Sequence, residues 1–298
     1  KLDVLGEDKV NLRKKINQAW GKVYTSLAQN SSDMLDEDTF LSAHLSLYRK
    51  PKESTFSEKA AEEKVFQMFC NKSEKYPLEE NSSIMEKAVS YSKIEDYILK
   101  ISALAPIWYN VHHSRSKLIK KILVLNGSKE IKIFLVAILK ATTDEQILNS
   151  IFSNLEKILF RNRIPGIGVM DGRTVASWAR DIYNDEDDLD GIFSKTEQLI
   201  NIPVSVPNLI QGFNYLFTYE RGNKGFHRWS NLKYFLFEYE EFLKLKAKES
   251  NDKVTLDDYT ETTIEHIIPQ DFSRYWQEQV DSVTNGLVEE EKIEQVIK

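Results

Sequence analysis

Glu265 and His266 stand side by side, between Ile264 and the pair Ile267 and Ile268, with Pro269 and Gln270 following. An imidazole titrates near neutrality, so His266 is a candidate general base that takes a proton from an attacking water. A carboxylate is a hard oxygen ligand, which makes Glu265 a candidate ligand or orienter for a divalent cation such as Mg²⁺. A general base and a cation held by oxygen ligands are what metal-assisted phosphodiester hydrolysis requires. Residues 262–268 read as a short β-like run that Pro269 ends. Neighbours on a strand point to opposite faces, so the pair converges only at a bulge or a strand end. Spacing alone leaves a surface Glu-His pair, with no chemistry, as the competing reading.

Other groups carry weaker signals. Arg161 and Arg163 could contact DNA phosphates or another domain, or could complement a helix C-terminus. His227 and Arg228, before Trp229, could touch a phosphate while the indole stacks a base, or could open an aromatic helix. His112 and His113 lack a third ligand at helical spacing and read as a helix end. Gly166, Ile167 and Gly168 lack the Lys-Ser/Thr of a phosphate loop and read as a turn. Asp185, Glu186, Asp187 and Asp188 lack the alternation of a calcium loop and read as a solvated turn. Cys70, the only cysteine, sits in an apolar helical stretch and reads as a structural thiol in a reducing compartment.

The elements around these groups read as helices. With 11 Gly and 7 Pro in 298 residues, long helices are favoured over strands. Leu12, Ile16, Trp20 and Val23 form one apolar face. Phe40, Leu41, Leu45 and Tyr48 form another, behind an acidic first turn at residues 36–38. Residues 60–69 continue the pattern, and a polar gap with Pro77 follows. Residues 84–104 read as an amphipathic helix stopped near Pro106. Residues 116–125 are a helix ended by Asn126 and Gly127. Residues 130–140 are apolar enough to be central. A cap at residues 143–146 opens a helix reaching about Phe160. Residues 165–172 read as a loop, 174–183 as a short helix and 184–190 as an acidic turn. Pro203 and Pro207 bracket a break. Residues 208–219 and 226–248 are aromatic-rich helices, whose Phe213, Tyr215, Phe217, Tyr219, Phe226, Tyr234, Phe235, Phe237 and Tyr239 read as core. Residues 250–253 read as a polar linker.

The composition, 41% hydrophobic and 29% charged, fits a soluble globular class. No apolar run is long enough to span a bilayer, no signal peptide precedes the first helix, and a cytoplasmic protein is expected. A net charge of −6 argues against a generic DNA-coating protein. The chain opens at Lys1 rather than Met, so a trimmed N-terminus is expected.

The stretch Glu265-His266-Ile267-Ile268-Pro269-Gln270, followed by Trp276, resembles the opening strand of HNH, or ββα-metal, nucleases. More closely it is similar to the C-terminal nuclease domain of GmrSD-type, modification-dependent restriction endonucleases. Upstream, Asp38-Thr39-Phe40-Leu41 with His44 and Tyr48-Arg49-Lys50, then Leu159 to Ile164, then Leu232 to Glu240, resemble that family's helical region. The resemblance implies that His266 is the general base and Glu265 a metal ligand or orienter, with Mg²⁺ as cofactor of the complete site. It implies a phage-defence DNA endonuclease that nicks or cleaves both strands of modified phage DNA. An N-terminal sensor domain that uses a nucleoside triphosphate would be its partner.

The sequence lacks that sensor's motif, and it lacks the Gly-Asn-Leu stretch and Asn-containing helix that complete the metal site. The expected architecture is therefore mainly α: a multi-helix spacer or scaffold over residues 1–249, then the beginning of a small ββα-metal unit over residues 250–298. This piece alone is expected to be inactive and to hold no metal. The alternative is a helical scaffold that links a sensor to an effector or self-associates as a homo-oligomer. No membrane partner is expected.

Overall fold

Six consecutive residues, 133–138, have no solvent exposure. A helix that is apolar all round belongs at the centre of a domain, and the helix that holds them, Lys129–Ala141, packs most extensively on Gly172–Tyr183 and also on Tyr91–His112. The computed structural model describes residues 8–70, 91–217, 229–248 and 255–257. Its elements among those residues are eleven helices: α1 (Asp8–Leu27), α2 (Glu37–Tyr48), α3 (Glu58–Cys70), α4 (Tyr91–His112), α5 (Lys117–Leu125), α6 (Lys129–Ala141), α7 (Glu145–Asn162), α8 (Gly172–Tyr183), α9 (Leu189–Ile200), α10 (Val206–Phe217) and α11 (Leu232–Ala247). The protein is mainly helical. Two compact units divide the chain, Lys1–Leu256 and Asp257–Lys298. The strand expected at residues 262–268 lies outside the described residues, as do the polar gap after Cys70 and the linker at residues 250–253. Among the described residues no helix is long and apolar enough to cross a membrane.

Helix starts follow side-chain type. Asp36, Ser116, Asp144, Asp171 and Asp188 each accept a hydrogen bond from a first-turn amide of α2, α5, α7, α8 and α9. Each cap satisfies an amide that lacks an intrahelical partner. Around α6, α1 lies on α4, α5 on α7 and α7 on α9. Asn154 of α7 donates to Thr196 of α9 across 3.2 Å, and both residues are buried.

The segment between α2 and α3 is tied down by polar contacts. Phe56 N donates to Ser46 Oγ at 2.8 Å. Lys129 Nζ donates to Ser42 Oγ at 2.7 Å and to Phe56 O at 3.1 Å, and pairs with Glu58 at 2.7 Å. Ser54 donates to Glu130 at 2.5 Å, while Arg180 of α8 donates to Ser54 O at 3.0 Å. An irregular segment thus finds partners for backbone groups that no helix satisfies.

Several expectations change. Pro106 lies inside α4 and does not stop it. A proline there removes one helical hydrogen bond, at a cost of about 3 kcal/mol. Beyond it, Trp108 and Val111 are 1% and 0% exposed. Burying two such side chains contributes about 1.5–3 kcal/mol each, enough to carry the helix onward. The acidic turn ends at Asp188, where α9 begins; the spacing of Leu189, Ile192, Phe193 and Thr196 marks a helix that the acidic residues obscured. Pro207 sits in the first turn of α10, where its missing N–H costs nothing. Asn126 ends α5 in extended rather than left-handed backbone, and its side chain accepts from Ser128 N at 3.1 Å. Trp229 precedes α11, which starts at Leu232. Tyr215 and Tyr239 are 64% and 53% exposed, so these two leave the core face expected for them.

Candidate functional site

The residues that carry the nuclease resemblance, Glu265 and His266, lie outside the described residues, as do His227 and Arg228. Of the candidate site residues, Arg161 and Arg163 are described. They stand at the C-terminal end of α7, where the chain turns through Gly166 at a φ of 81°. Asn162 organises this turn: its Oδ1 accepts from Val169 N at 2.8 Å and its Nδ2 donates to Met170 O at 2.6 Å.

Both guanidinium groups reach backbone carbonyls on other elements. Arg161 donates from Nε to Ile167 O at 3.0 Å and from Nη1 to Leu199 O, in the last turn of α9, at 3.2 Å. Arg163 donates from Nε to Leu125 O, the last residue of α5, at 2.7 Å. Each cation thus complements a helix C-terminus, where unsatisfied carbonyls carry partial negative charge. The helices so complemented are α5 and α9, not the arginines' own α7. Both side chains are half-buried.

Trp229 is buried. Its ring lies 6.3 Å from Phe160, 6.3 Å from Phe213 and 5.9 Å from Phe235 by centroids. Phe235 in turn stacks on Phe160 at 6.4 Å. The indole therefore joins α7, α10 and α11 rather than offering a face to a nucleobase. Below it, α11 is held to the rest of the unit by Tyr234 donating to Glu156, by the pair Lys117–Glu241 and by Lys121–Glu238 at 2.5 Å.

Sequence reasoning passed over a buried polar cluster where α2, α4 and α8 meet. His44 is fully buried, and its Nε2 lies 3.3 Å from the Tyr183 hydroxyl. Burial pushes the imidazole down to about 3, with Lys100 adding to the effect. Burial likewise raises the hydroxyls of Tyr97 and Tyr183, and carries Tyr48, which donates to Asp96, up to about 12. The signal was present: His44 follows Phe40 by one helical turn and falls on the apolar face.

His112 closes α4, and His113 follows it. Their rings lie against Trp108 and Tyr109, one turn back, at 4.6 and 4.4 Å. Burial takes His112 down to about 4, helped by Lys132 and His113 and opposed by Asp33. The helix-end reading of this pair holds. In the acidic turn, Asp187 pairs with Lys195 at 2.5 Å and Asp188 caps α9. Among the described residues no three His, Cys, Asp or Glu side chains gather into a set able to hold a metal ion.

The chain matches no family model, and neither the curated proteins nor the solved structures give a match.

Proposed function

We propose that this chain belongs to a DNA endonuclease of a restriction, or phage-defence, system, as its helical spacer and the leading edge of its HNH, ββα-metal domain. The observation that carries the reading is the motif Glu265-His266-Ile267-Ile268-Pro269-Gln270, which falls within the unit Asp257–Lys298. The mainly helical unit before it is the architecture that the resemblance to GmrSD-type enzymes calls for.

In this reading His266 accepts the proton of a water as the oxygen attacks the phosphorus, and Glu265 orients or holds a divalent cation. A Mg²⁺ held with the help of Glu265 would supply charge compensation for the phosphate and the leaving oxygen. Modified phage DNA is the substrate, and a nucleoside-triphosphate-using sensor domain is the partner that licenses nicking or double-strand cleavage.

Charge distribution bears on where DNA would lie. Eleven of the 46 acidic residues, but only three of the 40 basic ones, fall in Asp257–Lys298. The net charge of −6 therefore comes from the shorter unit, and Lys1–Leu256 is slightly basic. Neutralisation of phosphates then falls to the helical unit and to the divalent cation.

A second reading, a helical scaffold that joins a sensor to an effector, is favoured by the interior roles of Arg161, Arg163 and Trp229. The test between them is DNA cleavage by the full-length protein in Mg²⁺, as wild type and as His266→Ala. The nuclease reading expects cleavage that the substitution abolishes. Equal cleavage by both proteins rejects His266 as the base.

A further inference from the structure

We propose that His44 is an acid-operated release for the packing of α2 against α4 and α8. The proposal is independent of the nuclease reading. The imidazole has no solvent exposure, and Nε2 has a single partner, the Tyr183 hydroxyl of α8. Among the described residues Nδ1 has no hydrogen-bond partner, nor does the hydroxyl of Tyr97 on α4, whose ring meets the imidazole edge-on at 5.0 Å.

The groups around the ring suit a neutral imidazole and no other form. From α2 itself comes Tyr48, stacked on His44 at 5.8 Å. From α4 come Tyr97, Lys100 and Asp96; the ammonium of Lys100 sits 5.4 Å above the Tyr48 ring. Asp96 is the carboxylate of the cluster, and it is already engaged by Tyr48 Oη and by Lys100, each at 3.1 Å. From α8 comes Tyr183, and from α6 comes Lys140, 4.4 Å from the Tyr183 ring. From α3, Phe69 reaches Tyr97. Among the described residues, two cations and three phenols thus face the site, and the carboxylate there, Asp96, has other partners.

A second ring proton would take Nε2 away from the Tyr183 O–H, or would leave a second N–H without an acceptor at Nδ1. Either product is a buried, unpaired cation, which a protein core does not stabilise. Opening the junction lets water solvate it. In the closed state burial lowers the imidazole to about 3 from the ordinary 6.5 that the open state regains. The closed junction is therefore fully favoured above the ordinary imidazole value and weakens as the pH falls below it. Ties from this region to α8 that do not depend on His44 include Asn184 Nδ2 to Leu47 O and Arg180 to Ser54 O, both at 3.0 Å, and the exposed pair Arg173–Glu53 at 3.9 Å.

Amide hydrogen exchange of the whole chain, read by peptide and corrected for intrinsic rates, tests this. Opening of α2 rises more than about tenfold between pH 7 and pH 5 while α5 and α7 stay closed. His44→Gln loses that rise. Tyr183→Phe, which removes the Tyr183 hydroxyl from Nε2, shifts the pH at which the rise occurs. Should His44→Gln fail to fold, titration of the His44 ring protons in the wild type and the shift in Tyr183→Phe decide the matter. A rise shared equally by α5 and α7, one that persists in His44→Gln, or one unmoved by Tyr183→Phe overturns the proposal.

Discussion

The guanidinium of Arg163 closes the C-terminal end of a helix other than its own, donating from Nε to Leu125 O at 2.7 Å. Leu125 is buried, so truncation of the arginine leaves its carbonyl without that donor. A hydrogen bond from a charged group contributes about 1.5–3 kcal/mol. Arg163→Ala should lower the urea midpoint accordingly with an unchanged m-value, and Arg163→Lys should recover only part, because an ammonium lacks the planar fork. If Arg163→Ala keeps full stability and loses affinity for DNA, the residue serves a nucleic acid and not α5.

Among the described residues Gly212 is the tightest glycine against backbone. A Cβ there would lie 2.6 Å from Ile164 Cγ2 and 2.7 Å from Pro165 O. Gly212→Ala is expected to destabilise the helical unit by about 1–3 kcal/mol through overpacking. Gly21, inside α1, has nothing within 4 Å of its missing Cβ. Gly21→Ala should therefore gain about 0.5–1 kcal/mol. Thermal melts of the two variants that shift in the same direction would contradict this account.

Ser46 is fully buried; its Oγ donates to Ser42 O at 2.7 Å and accepts from Phe56 N at 2.8 Å. Ser46→Ala strands the Phe56 amide, at a cost of about 1–3 kcal/mol. The segment between α2 and α3 should loosen first. Limited trypsin digestion after Arg49 or Lys52, faster in the variant than in the wild type, is the expected result.

Asp36 caps α2, and its carboxyl is held below the ordinary range by hydrogen bonds from the side chain and backbone of Thr39, with Lys129 adding a smaller pull. A depressed carboxyl adds stability above its unfolded value of 3.8 and loses it as the pH falls through the lower, folded value. Asp36→Ala should cost about 1 kcal/mol at neutral pH. The gap from wild type should close in strong acid, whereas Asp36→Asn, which caps without titrating, should stay nearly level with the wild type at neutral pH.

Local features were legible in the sequence. Asp36 and Asp144 announce helix starts by side-chain type, and the unbroken apolar run of α6 places it at the centre. What escaped depends on distant partners. Pro106 reads as a stop until Trp108 finds Phe40 at 6.1 Å. For Arg161 the sequence leaves a DNA or domain contact and a helix C-terminus both open, until α9, itself hidden behind four acidic residues, brings Leu199 within reach. His44 and Tyr183 are 139 residues apart, and no local period connects them. The motif at Glu265 and His266 is legible as a pattern of residue types, and its geometry belongs to a unit outside the described residues.

The attachment of α11 has a consequence for how this helix responds to solution conditions. Lys117–Glu241 and Lys121–Glu238 tie it to α5, with Lys117 still 55% exposed. Salt screens such pairs within a Debye length of about 8 Å at physiological ionic strength and about 3 Å at 1 M. The buried apolar faces of α6 and α8 carry no charge for salt to screen. Ionic strength therefore acts on this molecule selectively: raising it loosens the last described helix before Asp257 while the centre of the helical unit keeps its packing.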